Sequence, residues 1–246
     1  MSSARIVLYS SAKCPFAHRT RIALKVAGAS YDLSEIDLRS KPKWYTENVN
    51  TAGKVPALSY GAPADSSVED PPKDVVVLPE SGVIVDFVAS LFPIIDYTDV
   101  VKRAQANLAA VQYEALVAPH WGKLQWGGGS PEALEAVLKG LGEWTATYLP
   151  EFMVSGEEFG VGDIKLGPFV TRLFLFSEHD VGVWPEGTGD KITQALQGEE
   201  FADLRQYAKR LGEWSDLKNT VNEDDVVDAL GKMMKGMWAA RQAPKQ

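Results

Sequence analysis

The sequence predicts an α/β domain followed by an all-helical one. Three observations carry that expectation. Short apolar runs alternate with helical stretches from Arg5 to Phe92, every periodic segment after Thr98 has helical spacing, and 246 residues exceed the usual size of one domain. The boundary falls at residues 93–97, giving a first domain over 1–93 and a second over 98–246.

Residues 5–9, Arg-Ile-Val-Leu-Tyr, read as a buried strand, and 15–27 as a helix with Phe16, Ile22, Ala23 and Val26 on one face. A second strand over 31–37 alternates Leu33 and Ile36 with polar residues. Pro42 suits a first helical turn and opens a short helix through Trp44 and Tyr45. Strands over 55–60 and 75–78 are joined by a polar stretch, 61–74, rich in turn formers and expected to be a surface loop. A helix starts near Ser81, whose hydroxyl can cap it, carries Val83, Ile84, Phe87, Val88 and Leu91 at helical spacing, and is ended by Pro93. In the second domain Leu134, Val137, Leu138, Leu141, Trp144 and Tyr148 form one stripe, and Leu166, Phe169, Val170, Leu173 and Phe174 another. Further helices are expected over 99–123, 200–219 and 223–240.

Composition narrows the function. Apolar residues make up 45%, with seven Trp, nine Phe and eight Tyr to fill cores, while 33 acidic against 25 basic side chains give a net charge of −8. Such a surface repels phosphate backbones, so nucleic acid is not an expected partner. No stretch approaches the roughly 20 apolar residues a membrane helix needs, and the N-terminus lacks a signal-peptide pattern. A cytoplasmic protein that binds no membrane is expected.

The chain has one cysteine, Cys14. It stands where the first strand meets the first helix and is followed by Pro15, which places it at the helix N-cap. There the unpaired amides and the helix dipole favour thiolate over thiol. Lys13, His18 and Arg19 add positive charge nearby. Dithiol oxidoreductases carry a resolving cysteine three positions on; here that position is Ala17. Any mixed disulfide must therefore be resolved by an external thiol, a role that glutathione suits. The plainer alternative is a buried hydrophobe, as lone cysteines often are. Further features bear on the choice. Val55-Pro56, before a strand, suits a cis proline that presents Val55 N–H and C=O to an extended peptide; an ordinary trans proline is the alternative. Glu80-Ser81 offers a carboxylate, a hydroxyl and amides for a γ-glutamyl head, or is simply a helix cap. Lys41 suits the opposite carboxylate, or is solvated surface.

The run from Ser10 to Arg21, with Lys41-Pro42-Lys43-Trp44, Val55-Pro56 and Glu80-Ser81, resembles the omega class of glutathione transferases by motif over residues 5–92 and by architecture beyond. The resemblance implies a thioredoxin-like N-terminal domain, β-α-β then α-β-β-α, followed by a helical domain: the glutathione transferase fold. It places the catalytic cysteine on Cys14 and glutathione contacts on Phe16, Leu38, Lys41, Val55, Glu80 and Ser81, with glutathione as co-substrate, no metal, and a homodimer. The 61–74 loop looks like fungal omega-like members, a group that also binds aromatic compounds. One departure stands out: where transferases of this fold carry Ser or Thr three residues before a core-helix Asp, Gly160 precedes Asp163, so a weaker cap is expected.

The expected activity is thiol transfer through a Cys14–glutathione mixed disulfide, reducing glutathionylated thiols, dehydroascorbate or glutathionyl ketones. Three alternatives stand beside it. One is conjugation of glutathione assisted by a hydroxyl of Tyr9, Ser10 or Ser11. Another is a ligandin role, with Trp121, Trp126 and Trp184 lining an aromatic site in the second domain. The third is a glutathionyl-hydroquinone reductase, disfavoured because those chains are longer and carry Trp where this one has Phe16.

Overall fold

The computed structural model describes residues 4–156 and 158–243, and the chain divides into two compact units between Asp96 and Tyr97. In the first, strand β1 (Arg5–Ser10) is almost wholly buried and central, flanked by parallel β2 (Asp32–Glu35) and antiparallel β3 (Ala57–Ala62), with β4 (Val76–Pro79) outermost beside β3. A strand with partners on both sides and helices over a face must be apolar throughout, which is why Ile6, Val7, Leu8 and Tyr9 follow one another without alternation. Helix α1 (Pro15–Val26) packs on α2 (Ser81–Leu91), and a 3-10 turn, Pro93–Ile95, follows.

Several expected boundaries shift. The second strand shrinks to four residues in which Leu33 is exposed while Ile36, just beyond it, is buried. The segment after Pro42 continues as a π-helical turn, Tyr45–Val49. The residue capping α2 is Glu80, not Ser81, whose hydroxyl instead accepts from Arg19 Nη1 at 3.2 Å. The 61–74 stretch is more than a surface loop. Its carbonyls at Pro63 and Ser66 accept from Arg5, Val68 C=O accepts from Tyr9 Oη at 2.7 Å, and Glu69 C=O accepts from Asn48 Nδ2 at 3.0 Å. Those acceptors are backbone groups, which composition does not reveal.

The second unit is helical throughout its described residues. Its elements are α3 (Val100–Leu116), α4 (Ala118–Gly127), α5 (Pro131–Tyr148), the short α6 (Glu151–Ser155), α7 (Val161–Glu178), α8 (Thr188–Ala195), α9 (Ala202–Glu213), the short α10 (Ser215–Lys218) and α11 (Glu223–Gln242). The single helix expected over 99–123 is thus two, divided at Val117 two residues before Pro119, whose ring and missing N–H suit a first turn rather than an interior. The 200–219 helix likewise divides at Trp214, and α6 and α8 were not foreseen because five and eight residues are too few to show a period. Helices α3 and α5 pack against each other, with Trp144 of α5 donating from Nε1 to Ala109 C=O at 2.8 Å. Gly162 lets α7 approach α3 closely: a Cβ there would lie 2.5 Å from Ala106 Cβ.

The missing Ser or Thr at the cap of α7 is compensated from elsewhere. Gly160 N–H donates to Asp163 Oδ2 at 3.0 Å, Arg210 Nη1 meets Asp163 Oδ1 at 2.8 Å, and Tyr97 Oη donates to Asp163 Oδ2. Phe159 lies between the Arg210 guanidinium, 3.9 Å from its ring centre, and the stacked Trp214 ring. Burial pushes the Asp163 carboxyl up from the ordinary carboxylate range, against the pull of Arg210 and the hydrogen bonds. A carboxyl with a folded-state pKa above its unfolded one contributes stability at low pH that is lost as pH rises through the folded value. Removing Arg210 exaggerates this. Arg210→Ala is expected to lose about 3–5 kcal/mol near pH 7.5, the usual cost of stranding a buried charge, and less near pH 5, where Asp163 takes up a proton. Urea unfolding at both pH values checks this; an equal loss at both contradicts it.

Candidate functional site

The site of the first unit follows from strand register. Tyr9 pairs with Ala57, and Ala57 with Pro79, so the chain leaving β1, the chain entering β3 and the chain leaving β4 meet at one end of the sheet. Parallel pairing of Ser10 with Glu35 brings the exit of β2 to the same end. Cys14 follows β1, Val55 precedes β3, Glu80 and Ser81 follow β4, and Leu38 and Lys41 follow β2.

Cys14 is the N-cap of α1, with φ −93° and ψ 120°, and forms no side-chain cap bond; Pro15 holds the first helical position. Its placement is fixed from behind. Cys14 N–H donates to Ser11 C=O at 3.0 Å, closing a tight turn, and Glu35 Oε1 accepts from Ala12 N–H at 2.7 Å. Arg21 of α1 completes the brace, donating from Nε to Ser10 Oγ at 2.8 Å and pairing with Glu35 through Nη2. Glu35 and Arg21 escaped the sequence reading because they act on a turn neither adjoins.

The half-exposed thiol faces Val55 C=O, with 3.8 Å between Sγ and O, and the Val55-Pro56 peptide bond is cis. Beneath it Tyr9, Trp44 and Tyr45 pack at centroid separations of 5.8–6.3 Å, and Val68 of the 61–74 stretch packs against the same cluster. Burial pushes the Tyr9 phenol up, opposed by Ser59 and Arg5. Burial likewise pushes Tyr45 up to about 12, opposed by Asn50 and aided by Tyr9 and Cys14. Both phenols are spent on structure, Tyr9 on Val68 C=O and Tyr45 on Lys54 C=O at 2.6 Å.

Glu80 is exposed at φ 71°, a conformation that costs a non-glycine residue about 1–3 kcal/mol and persists where surroundings enforce it. Phe16 is 40% exposed, with the Arg19 guanidinium 5.4 Å from its ring centre. Leu38 is 37% exposed. Exposed Lys41 reaches over the turn before β3, where its Nζ would lie 3.8 Å from a Cβ at Gly53. Lys13 is exposed, whereas His18 and Arg19 are buried.

Of the second unit's tryptophans, Trp121 and Trp184 meet edge to face at 6.1 Å while Trp126 stands 41% exposed. Trp184 is a packing residue rather than an open wall: it is buried, with its indole N–H on Asp180 Oδ1 at 2.8 Å. A cavity of about 340 Å³ in this unit is lined by Tyr97, Lys102, Phe152, Ser155, Gly156 and Glu158, none of them tryptophan. Among the described residues no three His, Cys, Asp or Glu side chains converge as metal ligands, and no helix is long and apolar enough to cross a membrane.

Comparison with known proteins places this geometry. Residues 13–91 match the glutathione S-transferase N-terminal domain family. Glutathione transferase Omega 1C of Trametes versicolor is 34% identical, with a TM-score of 0.85 over 95% of this chain and 98% of that one. The chain belongs to the omega class of the glutathione transferase family. Omega 2S of the same fungus, solved with 2,4-dihydroxybenzophenone, is 28% identical with a TM-score of 0.80 over 92% of this chain and 97% of that one. Pyrimidodiazepine synthase of Drosophila melanogaster is 31% identical over 173 residues, 68% of this chain and 65% of its own length. The matches to the Drosophila, Arabidopsis and mouse curated relatives thus cover less than two thirds of those proteins.

Tyr9 Oη, already committed to Val68 C=O, is a structural group. Tyr9→Phe is expected to lose about 1 kcal/mol of stability in urea, the net worth of one such bond, and to keep the wild-type rate in a glutathione-dependent assay. A hundredfold loss of turnover with unchanged stability would contradict this.

Proposed function

We propose that the protein is a glutathione-dependent thiol transferase acting through a Cys14–glutathione mixed disulfide. The observation that carries this is the position of Cys14 at the N-cap of α1, without a side-chain cap bond, in a chain with no second cysteine. Amides of the first helical turn have no intrahelical acceptor, so the developing charge of a thiolate is favoured there.

The Cys14 thiolate attacks the glutathionyl sulfur of a mixed disulfide. The Cys14–S bond forms, the substrate sulfur leaves as thiolate and takes a proton, and glutathione remains on Cys14. A second glutathione thiolate attacks that sulfur, giving glutathione disulfide and regenerating the Cys14 thiolate. Val55 N–H and C=O suit the cysteinyl backbone of the tripeptide, Glu80 and Ser81 its γ-glutamyl head, Lys41 its glycyl carboxylate, and Phe16 and Leu38 its apolar flanks. Binding supplies orientation, and the thiolate supplies nucleophilicity. Dehydroascorbate and glutathionyl ketones belong to the same reductive class. A reducing cytoplasm is the setting that fits a lone working thiol.

Hydroxyl-assisted conjugation is less well supported. Tyr9 Oη donates its one proton to Val68 C=O, and both Tyr9 and Ser10 are fully buried, 0% exposed. A ligandin role is favoured by one observation, the Omega 2S structure with a dihydroxybenzophenone, and is compatible with catalysis in the same molecule.

Thioltransferase assays on a glutathionylated substrate are expected to show turnover in the wild type and a loss of at least a thousandfold in Cys14→Ser. Undiminished turnover in Cys14→Ser would remove the cysteine from the chemistry and return conjugation to first place.

A further inference from the structure

Arg19 is almost fully buried, 1% exposed, in the second turn of α1. Burying a guanidinium is costly unless specific partners repay it. One partner is Ser81 Oγ, which accepts from Nη1 at 3.2 Å and is itself buried. Another is the Phe16 ring, one helical turn earlier, over which the guanidinium lies. Arg19 therefore joins the helix that carries Cys14 to the start of the helix that carries Ser81, and touches two residues assigned to glutathione.

A serine hydroxyl has one proton and two lone pairs. With Arg19 donating to it, Ser81 Oγ is polarised as a donor, and its own proton is left for an acceptor. Glu80 is the N-cap of α2 and makes no side-chain cap bond, so the amides of that first turn offer further donors at the same point. An acceptor of negative charge satisfies both. Resting on the functional reading above, we propose that Arg19 is a positioning residue of the glutathione site, holding Ser81 as a hydrogen-bond donor to the γ-glutamyl α-carboxylate. It touches neither the tripeptide nor the sulfur, so it acts on binding and leaves the thiol step alone.

A double-mutant cycle on the full chain tests this, with S-methylglutathione as probe because it cannot form a disulfide with Cys14. Calorimetry gives Kd for wild type, Ser81→Ala, Arg19→Gln and the double variant, with a thermal melt of each. Ser81→Ala is expected to weaken binding about tenfold, as for a lost hydrogen bond to a charged group. Arg19→Gln should weaken it several-fold in the wild type but not further when combined with Ser81→Ala. In steady state Arg19→Gln should raise KM for glutathione and leave kcat unchanged. If Arg19→Gln does not fold, Arg19→Lys, which keeps a charge and a donor on a long side chain, takes its place in the cycle, with a smaller loss expected. Equal losses from the arginine variant in both backgrounds would make Arg19 merely structural and overturn the inference. An unchanged Kd in Ser81→Ala would overturn it at its acceptor while sparing the role of Cys14. No binding of the probe by wild type would remove the glutathione site itself.

Discussion

The first turn of α1 leaves amide groups that the helix cannot satisfy, and the sequence puts a thiol there instead of the usual Ser, Thr, Asp or Asn. A small set of contacts in the first unit holds that arrangement in one place. The Ser11–Cys14 turn is closed by its own backbone bond and braced by Glu35 and Arg21, and Pro15 fixes the backbone as it enters the helix. The sheet then determines what stands opposite. With Tyr9, Ala57 and Pro79 in one row, the cis Val55-Pro56 bond and the Glu80-Ser81 start of α2 arrive at the same end without any contact between the strands' side chains having to specify it. A thiol, a backbone edge and an anion-seeking helix start, spaced along one end of a sheet, form a surface that suits a short peptide with carboxylates at its ends.

The second unit obeys a different constraint, the disposal of buried polar groups. Asp163 sits in a fully buried position, and Gly160, Tyr97 and Arg210 converge on it from a loop start and a distant helix. Asp180 plays a comparable part at a left-handed turn, accepting from Trp184 Nε1 and from the amides of Gly187 and Gly189, so the loop between α7 and α8 is closed by one carboxylate. These two hubs explain why a glycine cap at α7 is tolerated and why Trp184 belongs to the interior.

Much of this was legible from residue order. The buried run of β1, the Cys14-Pro15 junction, the absence of a resolving cysteine and the Val55-Pro56 and Glu80-Ser81 pairs are local patterns, and local patterns survive in sequence. What was not legible is what depends on distant backbone. The tethering of the 61–74 stretch to Tyr9, Arg5 and Asn48 uses carbonyl oxygens that every residue possesses. The division of the 99–123 helix at Val117 had a signal in Pro119 that helical spacing on either side concealed. Ser81 read as a cap because its type favours caps, and only the buried Arg19, sixty-two residues earlier, shows its hydroxyl to be engaged elsewhere. Arg19 itself had one cue, its spacing of three from Phe16 on a helix, too general to single it out.

The mechanism rests on a sulfur that can be followed directly. Mass spectrometry of the intact protein after incubation with glutathione disulfide, followed by peptide mapping, is predicted to show a single glutathione adduct, on Cys14, that reduced glutathione removes. A protein that stays unmodified while turning over a thiol-transfer substrate would contradict both the mixed-disulfide mechanism and the activation of Cys14 by the start of α1.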